Sequence, residues 1–234
     1  MNIILLGYPG SGKGTQAQAL SAQLKMSHIS TGDLFREEIA KGTLLGQRVS
    51  EYLTGGKLVD DKTVLEVINS KFEEAEKAKE SEKNEEAVNG FLFDGFPRTV
   101  QQAESLDALL ASKKMELDAV IFLNVDEADV VERISSRRIC AKCSKVYNVI
   151  SSPPQKENVC DECEGELIFR EDDKPAVMQK RMMVYKYLTE PLISYYHANG
   201  VFYEIQARGD VQAITGNIIS LIKTEITKNE PLAH

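Results

Sequence analysis

Residues 2–15 join an apolar run to a glycine-rich loop: Asn2-Ile-Ile-Leu-Leu6 is followed at once by Gly7-Tyr-Pro-Gly-Ser-Gly-Lys13-Gly-Thr15. A helical pattern begins at Lys13 and continues to residue 24. The glycines allow a tight turn in which successive backbone N–H groups point at one anion, and the helix N-terminus and the Lys13 ammonium add positive charge. This order of strand, Gly-x4-Gly-Lys loop and helix predicts a phosphate-binding loop.

Apolar runs with strand character recur along the chain at 91–93, 119–123 and 201–205. Each precedes a helical stretch, at 99–111, 127–138 and 211–223 respectively. Strands that alternate with helices favour βαβ units and a parallel sheet. Residues 30–59 read instead as short helices broken by glycines, with no strand, and we expect this segment to be an insertion.

Two residues near the predicted loop are candidates for the environment of Mg²⁺ on a bound nucleotide. Asp94 ends the apolar run 91–93, where a neighbouring strand would present a carboxylate to the loop. The position after Lys13, a serine or threonine in the general pattern, is Gly14, so the first hydroxyl comes one residue later, at Thr15.

All four cysteines of the chain, Cys140, Cys143, Cys160 and Cys163, form two Cys-x2-Cys pairs separated by sixteen residues. Two such pairs brought together by a hairpin supply the four thiolates that Zn²⁺ accepts in a closed, structural site. Two disulfides or a redox-active Cys-x-x-Cys pair are the alternatives. The spacing favours a structural zinc site.

The composition excludes several classes of partner. The 234 residues carry a formal net charge of −8, and the segment from Cys140 to Cys163 is neutral, whereas a nucleic-acid or anionic-membrane binder would be basic. No apolar run approaches the ~18 residues of a spanning helix, and the first residues lack a signal-peptide pattern. We therefore expect a cytoplasmic protein without nucleic-acid or membrane partners.

Residues 71–90 are rich in Glu and Lys and have few apolar positions. This composition predicts a helix that extends into solvent and a turn at Asn89-Gly90. A partner-binding arm is the alternative interpretation.

Several motifs together resemble the adenylate kinase family. Besides the loop at 7–15, they are His-Ile-Ser-Thr-Gly-Asp-Leu-Phe-Arg at 28–36, Phe-Asp-Gly-Phe-Pro-Arg-Thr at 93–99, Arg-Arg-Ile-Cys at 137–140, Cys-Asp-Glu-Cys at 160–163 and Arg-Glu-Asp-Asp at 170–173. The four cysteines resemble those of the zinc-bearing, long-lid bacterial form, and the Gly-Lys-Gly-Thr variant of the loop is the form that this family uses. The resemblance covers nearly the whole chain.

The resemblance implies an α/β fold: a five-stranded parallel sheet of the P-loop class flanked by helices, with a helical AMP-binding insertion and a small β lid resembling a zinc ribbon. The implied core is 1–29, 60–135 and 174–234, the insertion is 30–59 and the lid is 136–173. The implied reaction is reversible phosphoryl transfer, ATP + AMP = 2 ADP, by a monomer, with Mg²⁺ carried by ATP and a structural Zn²⁺ in the lid.

The resemblance also implies site residues, and six of the nine arginines are among them. The catalytic residues are Lys13, Arg98, Arg133, Arg170 and Arg181. The ATP-binding residues are Gly10, Ser11, Gly12, Lys13, Gly14, Thr15, Arg133, Arg137, Val146, Tyr147 and Gly209. The AMP-binding residues are Thr31, Arg36, Lys57, Leu58, Val59, Gly95, Phe96, Pro97, Arg98, Gln102, Arg170 and Arg181.

The sequence leaves two other functions open. A related nucleoside monophosphate kinase would act on UMP or CMP, and Gln102, one helical turn after Arg98, is the residue expected to select adenine. A P-loop switch or zinc-ribbon binding module would lack kinase activity. The neutral ribbon and the clustered arginine motifs argue against that module.

Overall fold

The computed structural model describes residues 1–80 and 88–226. Its main sheet has five parallel strands in the order β2-β3-β1-β4-β8. These strands are β1 Asn2–Leu6, β2 Ser27–Ser30, β3 Phe91–Asp94, β4 Ala119–Asn124 and β8 Phe202–Gln206. The predicted five-stranded parallel α/β fold is thus confirmed.

Nine α-helices accompany the sheet in the described part of the chain. They are α1 Lys13–Leu24, α2 Thr31–Lys41, α3 Leu44–Thr54, α4 Asp61–Glu80, α5 Val100–Ser112, α6 Glu127–Ser135, α7 Pro175–Val184, α8 Pro191–Ala198 and α9 Val211–Leu221. Shorter helical turns lie at Glu171–Asp173, Tyr185–Thr189 and Ile222–Ile226. None of the helices described between residues 1–80 and 88–226 combines the length and the apolar character that crossing a membrane would need.

Hydrophobic cores cover both faces of the main sheet. Along β1, Ile3 and Leu5 belong to one core, and Ile4 and Leu6 belong to the other. All five residues of this strand are buried, as expected for a central parallel strand that helices cover on both sides. The loop that follows β1 therefore starts from a rigid point in the middle of the sheet.

A second, antiparallel sheet of three strands is inserted in the chain between β4 and β8 of the main sheet. Its strands are β5 Arg137–Cys140, β6 Val146–Asn148 and β7 Leu167–Ile168, in the order β6-β5-β7. Tyr147 and Leu167 pack with Cys140 and Cys160 in a small separate core. This hairpin brings the two cysteine pairs together.

Three details differ from the sequence prediction or fall outside the structure. Strand β2 was missed, because its four residues, Ser-His-Ile-Ser, are mostly polar. The predicted helix 127–138 is wrong at its end: α6 stops at Ser135, and Arg137 begins β5, because pairing with β6 and β7 outweighs the local helical pattern. The charged helix is confirmed as far as Glu80, and its predicted continuation through 81–87 lies outside the described residues.

Candidate active site

A cleft of about 900 Å³ opens at the carboxyl ends of the parallel strands and continues to the small sheet. In open α/β sheets, ligands bind at this edge. The predicted residues that line the cleft are Gly10, Ser11, Gly12, Lys13, Gly14, Thr15, Thr31, Arg36, Lys57, Leu58, Val59, Asp94, Gly95, Pro97, Arg98, Gln102, Arg133, Arg137, Val146, Tyr147, Arg170, Arg181 and Gly209. Phe96 differs from the others, because its side chain is buried in the hydrophobic core.

The loop between β1 and α1 has a backbone that requires glycine. Gly10 has φ 88° and Gly12 has φ 97°, both in the left-handed region that residues with a side chain rarely adopt. A Cβ atom at Gly10 would also lie 2.6 Å from Cδ1 of Ile134 in α6. The loop therefore keeps its curled shape only with glycine at this position.

Lys13 follows the loop, and its ammonium donates to the carbonyls of Gly7 at 2.7 Å and Tyr8 at 2.8 Å. Burial in the cleft lowers the pKa of Lys13 to about 7, since it outweighs the opposing attraction of Asp94. The charges of Arg98, Arg181 and Arg137 lower the pKa further. An incoming phosphate would restore the charge of Lys13.

Asp94 ends β3 beside the start of α1. A Cβ atom at Gly14 would lie 3.4 Å from Oδ2 of Asp94, so the helix backbone passes close to this carboxylate. His28 in β2 places Nε2 3.8 Å from the same oxygen. Thr15, the other predicted residue of the Mg²⁺ environment, is exposed in the cleft. Carboxylate and hydroxyl oxygens are suitable partners for Mg²⁺ and its waters.

On the other side of the cleft, the carbonyl of Gly95 organises two of the predicted AMP residues. It accepts a hydrogen bond from Oγ1 of Thr31 at 2.9 Å and another from Nε of Arg98 at 2.7 Å. Nearby, Nη2 of Arg36 lies 2.5 Å from Oδ1 of Asp33. The terminal nitrogens of Arg98 are not needed for its bond to Gly95, so they are available for phosphate.

Gln102 in the first turn of α5 is buried and has a partner at each end of its amide. Its Oε1 accepts from the backbone N–H of Arg98 at 2.7 Å, and its Nε2 donates to Oδ1 of Asp61 at 2.6 Å. The helix begins here because the Thr99 side chain accepts from the backbone N–H of Gln102. The amide is thus held at the wall of the cleft.

Three arginines surround the carboxylate of Asp172. The nearest nitrogens are Nη1 of Arg181 at 3.1 Å, Nε of Arg170 at 3.2 Å and Nη1 of Arg36 at 3.7 Å. Burial alone would raise the pKa of Asp172, but these arginines hold it at about 2. Burial also lowers the pKa of Arg170 and Arg181 to about 10, which leaves both charged at neutral pH.

Sequence reasoning missed Asp172, Asp33 and Asp61 as functional neighbours. Asp33 and Asp172 lie inside the motifs at 28–36 and 170–173, and an acidic residue three or two positions from an arginine was the available signal. For Asp61 no such signal existed, because its partner Gln102 is 41 residues away.

Two further arginines make contacts at the phosphate loop and at the base of the small sheet. Arg133 donates from Nη1 to the carbonyl of Ser11 at 3.1 Å and from Nη2 to the carbonyl of Ala207 at 2.6 Å. Arg137 forms a two-pronged pair with the buried carboxylate of Asp173, in which Nε donates to Oδ2 at 2.7 Å. Arg133 thus joins the phosphate loop to the residue after β8, and Arg137 joins the two chain segments at the base of the small sheet.

The two residues predicted near the ATP base occupy different environments. Val146 is exposed, whereas the Tyr147 ring is buried in the small core. The Tyr147 hydroxyl lies 3.4 Å from Sγ of Cys160 and accepts from the backbone N–H of Asp161 at 2.8 Å. Its hydrogen bond lowers the pKa of the Cys160 thiol to about 6. Tyr147 thus supports the cysteine cluster as well as the wall of the cleft.

The four cysteines form a cluster whose sulfur atoms all lie within 4.8 Å of one another. Sγ of Cys140 is 3.4 Å from that of Cys163, and Sγ of Cys143 is 3.5 Å from that of Cys160. These distances exceed an S–S bond of about 2.05 Å, so the cysteines are free. A tetrahedron with Zn–S bonds of about 2.3 Å has sulfurs about 3.8 Å apart, which the cluster fits.

Comparison with known proteins agrees with this geometry. The sequence profile of the adenylate kinase family matches residues 5–201. The chain is 46% identical over 218 residues to the adenylate kinase of Kosmotoga olearia, covering 93% of this chain and 97% of the relative. It is 46% identical over 226 residues to that of Streptomyces avermitilis (96% and 98%) and 42% identical over 223 residues to that of Archaeoglobus fulgidus (95% and 98%). A phosphate loop, facing arginines and a matching family profile over most of the sequence lead to one conclusion: this chain belongs to the adenylate kinase family.

Proposed function

We propose that this chain catalyses the reversible transfer of a phosphoryl group between MgATP and AMP, giving two ADP, as a monomer. One observation carries the proposal: a single cleft has a phosphate loop on one side and Arg36 and Arg98 on the other, with Arg170 and Arg181 between them. Phosphoryl transfer demands positioning and positive charge more than covalent chemistry. The cleft supplies both.

On the donor side, the backbone N–H groups of 10–15 and Lys13 hold the ATP phosphates. Arg133 donates to the carbonyl of Ser11, so it lies beside the same phosphates. The backbone near Gly209, together with Val146 and Tyr147, surrounds the base, and Arg137 approaches from the small sheet. Backbone contacts read a base weakly, so the donor base is selected less strictly than the acceptor base.

On the acceptor side, Arg36 and Arg98 bind the AMP phosphate, since a guanidinium offers two parallel donors to phosphate oxygens. Thr31, Gly95, Pro97 and the backbone of 57–59 enclose the nucleoside. The amide of Gln102 supplies the donor and the acceptor that match the N1 and N6 edge of adenine. Phe96 supports this wall from the core.

During transfer, Arg170 and Arg181 neutralise the charge of the migrating group, a role supported by their joint approach to the carboxylate of Asp172. Mg²⁺ bound to ATP supplies further charge neutralisation, and Thr15 and Asp94 are the residues that would hold it and its waters. Lys13, Arg98 and Arg133 keep the phosphates of ATP in line with the phosphate of AMP. Exclusion of water protects the reactive phosphate from hydrolysis.

The chain divides functionally into a core (1–29, 60–135 and 174–234), an AMP-binding insertion (30–59) and a lid (136–173). A structural Zn²⁺ held by Cys140, Cys143, Cys160 and Cys163 would stabilise the lid, because the small core there has few apolar residues. Closure of the lid and the insertion over the nucleotides would exclude water.

A coupled assay of ADP formation tests the proposal. AMP-dependent turnover of MgATP is expected, and kcat/KM should be much higher for AMP than for UMP or CMP. Turnover that prefers UMP or CMP would assign the chain to the pyrimidine nucleotide alternative. Absence of AMP-dependent turnover in folded protein would contradict the proposal altogether.

A further inference from the structure

The amide of Gln102 is fixed in one orientation by two partners of opposite hydrogen-bonding character. The backbone N–H of Arg98 can only donate, so it requires the amide oxygen, Oε1, at 2.7 Å. The carboxylate of Asp61 accepts, so it requires the amide nitrogen, Nε2, at 2.6 Å. A rotation of the amide by 180° would place a nitrogen against an N–H and an oxygen against a carboxylate. Both contacts would then become repulsive.

Among the described residues, each end of this amide keeps one hydrogen-bonding position without a partner. Nε2 has a second hydrogen, and Oε1 has a second lone pair. Gln102 lines the cleft, whereas Asp61, at the start of α4, is not among the residues that line it. A base in the cleft therefore meets a donor and an acceptor in an order that the Arg98 N–H and Asp61 set together, with Asp61 acting from outside the cleft.

The order of donor and acceptor matters because purines differ in it. Adenine presents an acceptor at N1 and a donor at N6, whereas hypoxanthine and guanine present a donor at N1 and an acceptor at O6. A glutamine that rotates freely can serve either pattern. A glutamine with a fixed amide can serve one of them, and an unmatched buried polar group is costly.

We infer that Asp61 is a positioning residue for acceptor specificity: it holds the Gln102 amide in the orientation that accepts 6-amino purines and rejects 6-oxo purines. The inference rests on the proposed role of Gln102 at the acceptor base. The Asp61 contact spans two helices, α4 and α5, so a purely structural tie between these helices is the competing explanation. The two explanations predict different substrate behaviour.

The test compares AMP with IMP, since these acceptors differ only at position 6 and in the proton at N1. Steady-state kcat/KM and equilibrium dissociation constants are measured for both in the wild type, Asp61→Asn and Asp61→Ala. An asparagine can face either end of the amide, and an alanine leaves the amide oriented by the Arg98 N–H alone. We expect the AMP:IMP ratio to fall about tenfold in both variants, the usual scale for loss of a hydrogen bond to a charged group.

Asp60→Asn is the matched control, because it makes the same chemical change one residue away. Asp60 accepts from the backbone N–H and the hydroxyl of Thr63 at the start of α4, and asparagine keeps that capping role. Its AMP:IMP ratio should equal that of the wild type. If Asp61 were only structural, its variants would lower activity towards AMP and IMP together.

An unchanged AMP:IMP ratio in folded Asp61 variants would therefore overturn the inference, even if AMP is still a good acceptor for them. Failure of the proposed function looks different, because the wild type itself would then show no preference for AMP. Gln102→Ala separates the two steps: it should remove the preference whatever the state of Asp61. Melting temperatures of all variants show whether a ratio was measured on folded protein.

Discussion

Oδ2 of Asp172 lies 3.1 Å from Nη1 of Arg181, inside the cleft where a phosphoryl group is proposed to pass. Arg170 and Arg36 approach the same carboxylate. Asp172 thus acts as an internal counter-ion that keeps the arginines in place before any nucleotide arrives. When phosphates bind, they share these arginines with Asp172 or replace it.

Asp172→Asn should destabilise the free protein, because three arginines would lose the carboxylate that they share, although Asp33 still pairs with Arg36 and Asp173 with Arg181. A loss of about 2 kcal/mol corresponds to a fall of roughly 5 °C in Tm for a chain of this size. Bound ADP should raise Tm more in this variant than in the wild type, since its phosphates supply the missing charge. Thermal unfolding with and without ADP measures both effects.

The control for this variant is Asp126→Asn, in which the removed carboxylate belongs to an exposed pair with Arg208. Exposed pairs contribute about 0–1 kcal/mol, so Tm should hardly change. Equal losses of Tm in Asp172→Asn and Asp126→Asn would contradict the counter-ion role.

Lys13 should make binding of MgATP depend on protons. In the free protein its pKa is about 7, and the phosphates of ATP would raise that value again. At pH 8 most of the Lys13 side chains are neutral before binding, so binding should take up nearly one proton; at pH 6 the uptake from Lys13 should vanish. Calorimetry in buffers of different ionisation enthalpy measures the uptake. Lys13→Met should abolish it, and the same uptake in that variant would assign the proton to another group.

Gly10→Ala should impair ATP binding more than an ordinary change at a left-handed glycine. Gly42, at the end of α2, has φ 67° with no atom within 4 Å of its added Cβ, so Gly42→Ala costs about 1 kcal/mol from backbone strain alone. At Gly10 the added Cβ also meets the side chain of Ile134, and the displaced loop loses its aligned N–H groups. We expect at least a tenfold weaker Kd for MgATP in Gly10→Ala and little change in Gly42→Ala. Comparable affinities would show that the loop shape is not decisive.

Cys140→Ser should remove bound zinc and lower Tm strongly. At a moderate temperature, at which the variant is still folded, kcat should fall much less. The proposed metal stabilises the small sheet and lies outside the reaction itself. Tyr147→Phe is a milder variant of the same site, because it keeps four thiolates and deletes the hydroxyl beside Cys160. It should retain zinc with weaker affinity, as measured by competition with a chelator. Full loss of turnover by Cys140→Ser at unchanged Tm would point to a role in chemistry instead.

The sequence predicts the parts of this fold that depend on local pattern. The loop at 7–15 lies between a wholly buried strand and a helix, so its position and chemistry follow from short-range rules. Strand β2 escaped prediction because Ser27, His28 and Ser30 are polar, and its strand conformation depends on pairing with β3. The end of α6 was misplaced for the same reason, since the partners of β5 lie further along the chain.

The candidate site divides in the same way. Motif residues such as Lys13, Arg36 and Arg98 could be named from the sequence, and the structure brings them to one cleft. The contact between Asp61 and Gln102 could not be named, because it joins two helices whose packing is a tertiary property. Asp172 lies in a recognised motif, but its contacts could not be predicted, because the three arginines around it belong to separate elements.

The paired carboxylate and guanidinium of Asp173 and Arg137 have a mechanical consequence. Arg137 opens β5, Asp173 follows β7, and their bond joins two points 36 residues apart, so the chain between them forms a noncovalently closed ring. Closing a ring removes many of the conformations that a loose loop of this length would sample. We therefore expect the small sheet to move as one rigid body, with its hinges in the chain just outside 137–173.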